Sequence, residues 1–306
     1  MALLGVSVSA PARRRRKTQQ LRGEDRMARL RDGRRLGYSE FGQPGGRPVF
    51  FFHGMGTTRL ICPSPEPAQD LGLRLIAVDR PGIGLSDPRP GRRLLDWPSD
   101  VAELADQLGL GSFAVIGWSG GGPYALATAH ALASRVTSVA AVSCPAPLAG
   151  NGEAAYLRRF DRNAVRAAGR APWVIRLALW HWGRPQRRDA QRFLEESVAA
   201  MCESDQQVLA DPRLRVRMIQ SSAELYRQGG RGLYDEALVL ARPWGFKASE
   251  LRVPVHLWHG TIDETVPFAM GEHLAEVIPD AVFTRFEGEG HHLLYRYWRE
   301  ILAALE

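Results

Sequence analysis

The chain has 306 residues, of which 45% are hydrophobic and 24% charged, which is enough apolar material for one large or two medium folded domains. No apolar run approaches the roughly 18 residues of a membrane-spanning helix, which excludes a transmembrane protein. The net charge is +7, but residues 1–36 carry eleven Lys/Arg against three acidic residues, so the remainder is nearly neutral and predicts no nucleic-acid partner.

Residues 1–26 begin with ten small or apolar residues, and a basic run follows them at Arg13–Lys17. Secretory and twin-arginine signals place their charges before the apolar run, so the reversed order argues against both. We predict a disordered basic arm over 1–26, with contact to a membrane surface or a nucleic acid as an alternative role. Translation from Met27 is a further alternative. We expect trimming to Met27 to cause no large loss of stability or activity.

Residues 28–42 form a predicted hairpin that turns at Asp32-Gly33. After it, short apolar runs alternate with segments whose apolar residues recur at helical spacing. Such runs are typical of strands buried on both faces of a parallel sheet, so we predict a three-layer α/β fold. The predicted strands are Val49–Phe52, Leu73–Val78, Phe113–Ile116 and Val136–Val142, and the predicted helices are Trp97–Leu108 and Tyr124–Ala133.

Residues 145–247 show no convincing strand, and four of the eight tryptophans lie there. We predict that this segment is a helical cap inserted into an α/β core made of residues 27–144 and 248–306. Its helical patterns cover Val174–Trp182, Ala190–Met201 and Arg213–Tyr226. After it come a strand at Val255–Trp258, a helix at Phe268–Val277, a strand at Ala281–Phe286 and a helix at Leu293–Leu305.

Ser119 lies in Gly117-Trp118-Ser119-Gly120-Gly121, between a predicted strand and a predicted helix. A nucleophile at the tip of a sharp strand-to-helix turn has a strained backbone, and side chains two residues before and after it would collide. Glycine at positions 117 and 121 avoids that collision, so the pattern predicts Ser119 as a nucleophile. The alternative is an ordinary serine in a glycine-rich turn.

A serine nucleophile needs a general base, and Gly290-His291-His292 follows the last predicted strand. Ligands of open α/β sheets bind at the carboxyl ends of the strands, where this loop lies. We predict His291 as the base, with His292 as the alternative. Asp263, after the seventh strand, is predicted to orient the base and stabilise its cation, with Glu264 as the alternative.

Acyl transfer passes through an oxyanion that preorganised N–H groups must bind. We predict one donor at Gly120, directly after the nucleophile, and the other at Met55 in the loop after the third strand. The neighbouring Trp118 and Gly54 are predicted to line the substrate pocket. His53 is expected to be a buried structural histidine.

No metal site or cofactor is predicted from the histidines and cysteines. The histidines lack metal-ligand spacing and HExxH is absent. Cys62, Cys144 and Cys202 are widely separated and form no CxxC, so neither a disulfide framework nor a thiolate zinc site is expected. A reducing cytoplasm is therefore the expected location.

These motifs resemble the α/β-hydrolase fold superfamily over about residues 28–306, in the group with a helical cap after the sixth strand. The resemblance implies a serine hydrolase that cleaves an ester or related acyl bond through an acyl-enzyme, with the triad Ser119, Asp263 and His291. The cap tryptophans suggest an apolar or aromatic small-molecule acyl substrate, and the alternative is that they pack in the core, as tryptophans at helical spacing more often do. The motifs are HGMG at 53–56, DRPGIGLSD at 79–87, GWSGG at 117–121, HGTID at 259–263 and GEGHH at 288–292.

Proteins that resemble this chain also include lactonases, carbon–carbon bond hydrolases, proline iminopeptidases, cofactor-free haloperoxidases and non-catalytic receptors. Lyase or perhydrolase chemistry and ligand binding without turnover therefore stay open as alternatives. The serine at 119 argues against haloalkane dehalogenases and epoxide hydrolases, which use aspartate there. The GWSGG sequence departs from the GGSWG of iminopeptidases. The sequence indicates no oligomeric state.

Overall fold

A central sheet of eight strands organises the fold in a computed structural model, of which we describe residues 24–148 and 171–305. The strands are β1 Glu24–Arg29, β2 Arg35–Gly42, β3 Arg47–Phe52, β4 Leu73–Val78, β5 Phe113–Trp118, β6 Val136–Val142, β7 Val255–Gly260 and β8 Val282–Phe286. Their order is β1-β2-β4-β3-β5-β6-β7-β8. The pairs β1–β2 and β2–β4 are antiparallel and the other five are parallel, which confirms the predicted sheet.

Both faces of the sheet are buried, which explains why the central strands are apolar throughout rather than alternating. Side chains alternate across a strand, so Phe50 and Phe52 join one core cluster while Phe51 joins the other. Three helices cover the first face: α2 Trp97–Gln107, α3 Gly122–Ala131 and α9 Phe268–Val277. The second face is covered by α1 Glu66–Asp70, α10 Leu293–Arg296 and α11 Trp298–Ala303. The predicted helix over Leu293–Leu305 is therefore two short helices.

Among the described residues, five helices lie between β6 and β7, and we call them the cap helices. They are α4 Pro172–Arg188, α5 Ala190–Ala199, α6 Glu203–Val208, α7 Pro212–Leu225 and α8 Arg231–Leu240. The sequence predicted α4, α5 and α7 with shifted ends but missed α6 and α8. Residues 149–170 of the predicted cap lie outside the described residues. None of the described helices is both long and apolar enough to cross a bilayer.

Residues 24–26 belong to β1 rather than to the predicted disordered arm. They pair with residues 38–40 of β2, and the Asp25 carboxylate lies 2.7 Å from the Arg59 guanidinium, which is buried. The prediction was wrong for these three residues because their charged sequence shows no strand pattern and Arg59 lies 34 positions further along the chain than Asp25. Residues 1–23 of the predicted arm lie outside the described residues.

Two buried arginines join the cap helices to the core. Arg59 pairs with Asp79 at 2.6 Å and with Glu224 of α7 at 2.9 Å. Arg80 pairs with Glu236 of α8, and both side chains are fully buried. Breaking a buried ion pair of this kind leaves an uncompensated charge, so each pair opposes separation of the cap helix from the core.

Candidate active site

Ser119 lies at the sharp turn between β5 and α3. Its φ of 52° falls in the left-handed region that non-glycine residues rarely adopt. A Cβ on Gly117 would lie 2.5 Å from the Gly121 carbonyl oxygen, so the turn is too tight for a side chain there. The strand–turn–helix context and the glycine spacing match the sequence prediction, and they present the Ser119 side chain at the carboxyl edge of the sheet.

Three side chains from distant parts of the chain meet at this edge. Ser119 Oγ lies 2.9 Å from His291 Nε2, and His291 Nδ1 lies 2.8 Å from Asp263 Oδ2. His291 follows β8 and Asp263 follows β7, and each residue is 5% exposed. The hydroxyl, the imidazole and the carboxylate therefore form a continuous hydrogen-bonded chain.

Asp263 is held as an ionised carboxylate. Its Oδ1 accepts hydrogen bonds from the backbone N–H groups of Thr265 at 2.9 Å and Val266 at 2.8 Å. Burial acts to raise the pKa of Asp263, but the charge of His291 and hydrogen bonds from His259 and His291 outweigh it and hold the pKa well below its ordinary value. A fixed anion at this place holds the His291 ring with Nδ1 as the donor.

The alternative residues take no part in this chain of contacts. His292 lies behind Trp118, with its Nδ1 3.4 Å from Asp205 Oδ1, and burial lowers the pKa of His292 below its ordinary value. Glu264 is exposed on the surface. Among the paired alternatives from the sequence, the geometry therefore favours His291 and Asp263.

The predicted oxyanion donors lie side by side. A Cβ on Gly120 would lie 2.9 Å from the Met55 nitrogen, so the two residues border the same small space. The described part of the chain offers the Met55 N–H no hydrogen-bond acceptor. The Arg80 guanidinium braces this loop from behind by donating to the carbonyls of His53 at 2.5 Å and Gly54 at 3.1 Å.

His53 is fully buried beneath that loop, as expected for a structural histidine. Burial, together with the charge of Arg80, lowers the pKa of His53 well below its ordinary value. The His53 ring is therefore neutral at ordinary pH.

Trp118 is buried and packs against the His291 ring instead of lining an open pocket. Its indole is 3% exposed, and Nε1 donates to the His291 carbonyl oxygen at 3.1 Å. The reason is the strand alternation of β5, which directs this side chain into the core cluster that faces α10 and α11. Gly54 does adjoin the nucleophile, since a Cβ on Gly54 would lie 3.3 Å from Ser119 Cβ. Its role in the pocket stays a prediction.

Sequence reasoning missed Ser204 and Asp205 of the cap helix α6. Both accept hydrogen bonds from the backbone of the loop that carries His291, 86 or 87 positions further along the chain. No spacing or motif in the sequence connects the two segments. Among the described residues, no group of three or more His, Cys, Asp or Glu side chains is placed to hold a metal ion.

The chain is similar to several known proteins. A family model for the alpha/beta hydrolase fold matches residues 47–296. A non-heme chloroperoxidase of Streptomyces lividans is 27% identical, over 86% of this chain and 91% of that protein. A pimeloyl-[acyl-carrier protein] methyl ester esterase of Aromatoleum aromaticum is 28% identical, over 79% and 90%. The crystal structure of a hydrolase from Pseudomonas aeruginosa PA01 aligns with a TM-score of 0.69 at 17% identity, over 92% and 98%.

Proposed function

Because the chain belongs to the alpha/beta hydrolase fold family, we propose that it is a serine hydrolase that cleaves an ester or a related acyl bond. The observation that carries the proposal is the relay from Ser119 Oγ to His291 Nε2 at 2.9 Å and from His291 Nδ1 to Asp263 Oδ2 at 2.8 Å. A hydroxyl within reach of a base, with the base oriented by a carboxylate, is the arrangement that activates serine. The esterase name of one relative supports an ester as the substrate.

In the first half of the reaction, Ser119 Oγ attacks the acyl carbon while His291 Nε2 takes the hydroxyl proton. Asp263 stabilises the resulting imidazolium through Nδ1. The N–H groups of Met55 and Gly120 bind the oxyanion of the tetrahedral intermediate, and each such donor is worth about 100- to 1,000-fold in rate. His291 then donates its proton to the leaving alcohol, and Ser119 keeps the acyl group.

The second half of the reaction repeats these steps with water. His291 takes a proton from the water as the water oxygen attacks the acyl carbon, and a second oxyanion forms at Met55 and Gly120. His291 returns the proton to Ser119 Oγ as the acyl–oxygen bond breaks. The products of this half are a carboxylic acid and the free enzyme.

The Ser119→Ala variant tests the proposal on a panel of acyl esters and lactones of varied chain length. We expect turnover to fall at least about 1,000-fold and covalent labelling by a fluorophosphonate to disappear. Ser249→Ala is the matched control, because Ser249 is exposed and takes no part in the hydrogen bonds of the relay, and it should behave as wild type. Unchanged ester turnover in Ser119→Ala would overturn the proposal. A wild-type protein that fluorophosphonate does not label would point to ligand binding without turnover.

A second candidate is perhydrolase chemistry, which the similarity to a chloroperoxidase favours. In that reaction hydrogen peroxide replaces water in the attack on the acyl-Ser119 intermediate, and the product is a peroxy acid that can oxidise halide. Peroxide-dependent halogenation that requires a carboxylic acid and is lost in Ser119→Ala would support it. Halogenation at the level of the Ser119→Ala background would leave hydrolysis as the reaction, and cyanohydrin cleavage would indicate a lyase.

A further inference from the structure

The loop that carries His291 is bound by side chains of the cap. Gly290 N–H donates to Ser204 Oγ at 2.8 Å, His291 N–H donates to Asp205 Oδ2 at 3.0 Å, and His292 N–H donates to Asp205 Oδ1 at 2.7 Å. Three consecutive amides are thus satisfied by two neighbouring residues of α6. The core supplies the catalytic side chains, but the cap supplies the acceptors for this backbone.

The contact between α6 and the loop that carries His291 is close and leaves no space for a side chain at position 290. A Cβ on Gly290 would lie 2.5 Å from Cys202 Sγ and 2.6 Å from Asp205 Cγ, so only glycine allows this approach. Asp205 is 5% exposed. Burial acts to raise the pKa of Asp205, but the neighbouring His292 imidazole and the two backbone N–H groups that donate to the carboxylate lower it below its ordinary value. The acceptor is therefore an ionised carboxylate, whose hydrogen bonds are stronger than those of a neutral group.

The carbonyl of His291 is fixed from the opposite side. Its oxygen accepts from Trp118 Nε1 at 3.1 Å and from Ser143 Oγ at 3.2 Å, both of which belong to the core. The backbone of His291 is therefore held at its N–H by the cap and at its C=O by the core. Because both polar groups are fixed, the orientation of the backbone from which the imidazole projects toward Ser119 is also fixed.

We propose that Asp205 is a positioning residue for His291. When the cap helix α6 is packed on the core, the Asp205 carboxylate holds the His291 backbone in the orientation that the proton relay requires. The inference rests on the proposed function, because it gives Asp205 a role only through His291. A displacement of about 1 Å at a reacting group can cost about 100-fold in rate. Loss of the Asp205 bonds should accordingly lower kcat and leave the binding of substrate, and hence KM, nearly unchanged.

The Asp205→Asn variant tests the proposal with Glu203→Gln as its control. Asparagine keeps the shape but turns an NH2 group toward one of the two backbone donors, so one hydrogen bond is lost. We expect kcat for the ester that wild type turns over best to fall about 10- to 100-fold, with KM within twofold. Fluorophosphonate labelling should slow by a similar factor. Glu203→Gln removes the same charge from an exposed position of the same helix and should match wild type in each measurement.

A spectroscopic measurement separates positioning from general stabilisation. The His291 Nδ1 proton, held by the Asp263 carboxylate, should give a downfield proton resonance in wild type that shifts or broadens in Asp205→Asn. A purely structural role would lower the unfolding temperature but leave the resonance and kcat unchanged. A folded Asp205→Asn protein with kcat and labelling rate within twofold of wild type would overturn the proposal.

If Asp205→Asn does not fold, Ser204→Ala decides the question, since it removes the acceptor of the Gly290 N–H and a 3.4 Å contact with Cys202 Sγ but leaves Asp205 in place. We then expect a fall in kcat of about 2- to 5-fold, with faster hydrogen exchange at Gly290 to His292. Unchanged kcat together with faster exchange would overturn the positioning role. Failure of the proposed function has a different signature, because wild type would then show neither labelling nor turnover while its loop amides stay protected.

Discussion

Replacing Glu236 by leucine should destabilise the protein strongly, because it leaves the buried Arg80 charge uncompensated. Both side chains are fully buried, so water cannot solvate the guanidinium once the carboxylate is gone. Removing one partner of a buried pair costs about 3–5 kcal/mol of unfolding free energy. Leucine has a similar volume, so a cavity adds little. At about 2 °C per kcal/mol for a chain of this size, Tm should fall by about 6–10 °C.

Urea unfolding followed by tryptophan fluorescence, together with thermal unfolding, measures this loss. The control is Glu196→Gln, which breaks an ion pair with Arg192 whose two side chains are 61% and 76% exposed. An exposed pair of this spacing contributes about 0.3–0.5 kcal/mol, so Tm should change by about 1 °C or less. A loss below about 1 kcal/mol in Glu236→Leu, or an equal loss in the two variants, would refute the argument from burial.

Two further predictions concern acid pH and the strand β1. Burial lowers the pKa of His53 in the folded state, so the unfolded chain binds the proton at a higher pH than the folded protein does. The contribution of His53 to the free energy of unfolding is therefore fully present above about pH 6.5 and is lost as pH falls below that value. Between pH 7.5 and 5.5 this histidine should contribute a loss of about 1 kcal/mol in urea unfolding, and an identical pH dependence in His53→Gln would contradict it. Contrary to the expectation from the sequence, trimming the chain to Met27 should lower the free energy of unfolding by about 1–3 kcal/mol relative to a chain that begins at Glu24, because it removes the Asp25–Arg59 pair and part of β1. Equal stability of the two chains would show that residues 24–26 contribute nothing.

Local pattern was sufficient to predict most of the sheet and the residues that meet at its edge. An apolar run such as Val49–Phe52 can be buried on both faces only in a layered fold, and parallel strands bring the loops after them to one edge. Ser119, Asp263 and His291 each lie in the turn or loop that follows a strand, so their approach follows from topology. The catalytic roles of these residues stay predictions until the variants are measured.

The contacts that local pattern could not predict depend on how the cap packs on the core. In the sequence, Asp205 is an acidic residue in a short polar segment, and the residues around it do not indicate a contact with a loop 86 positions away. Arg80 and Glu236 are 156 positions apart, and either charge could equally have been solvated. The prediction that Trp118 lines the pocket was wrong for a simpler reason. Membership of the serine motif does not determine on which face of β5 the indole lies.

The bonds from α6 to the histidine loop have a consequence for protein engineering. Transplanting the helical segment between β6 and β7 from a relative is an obvious way to exchange substrate preference while keeping the chemistry. In this protein the graft would also remove Ser204 and Asp205, and with them the acceptors of three amides around His291. A chimera built here should therefore retain the Ser204-Asp205 pair and vary the other helices around it.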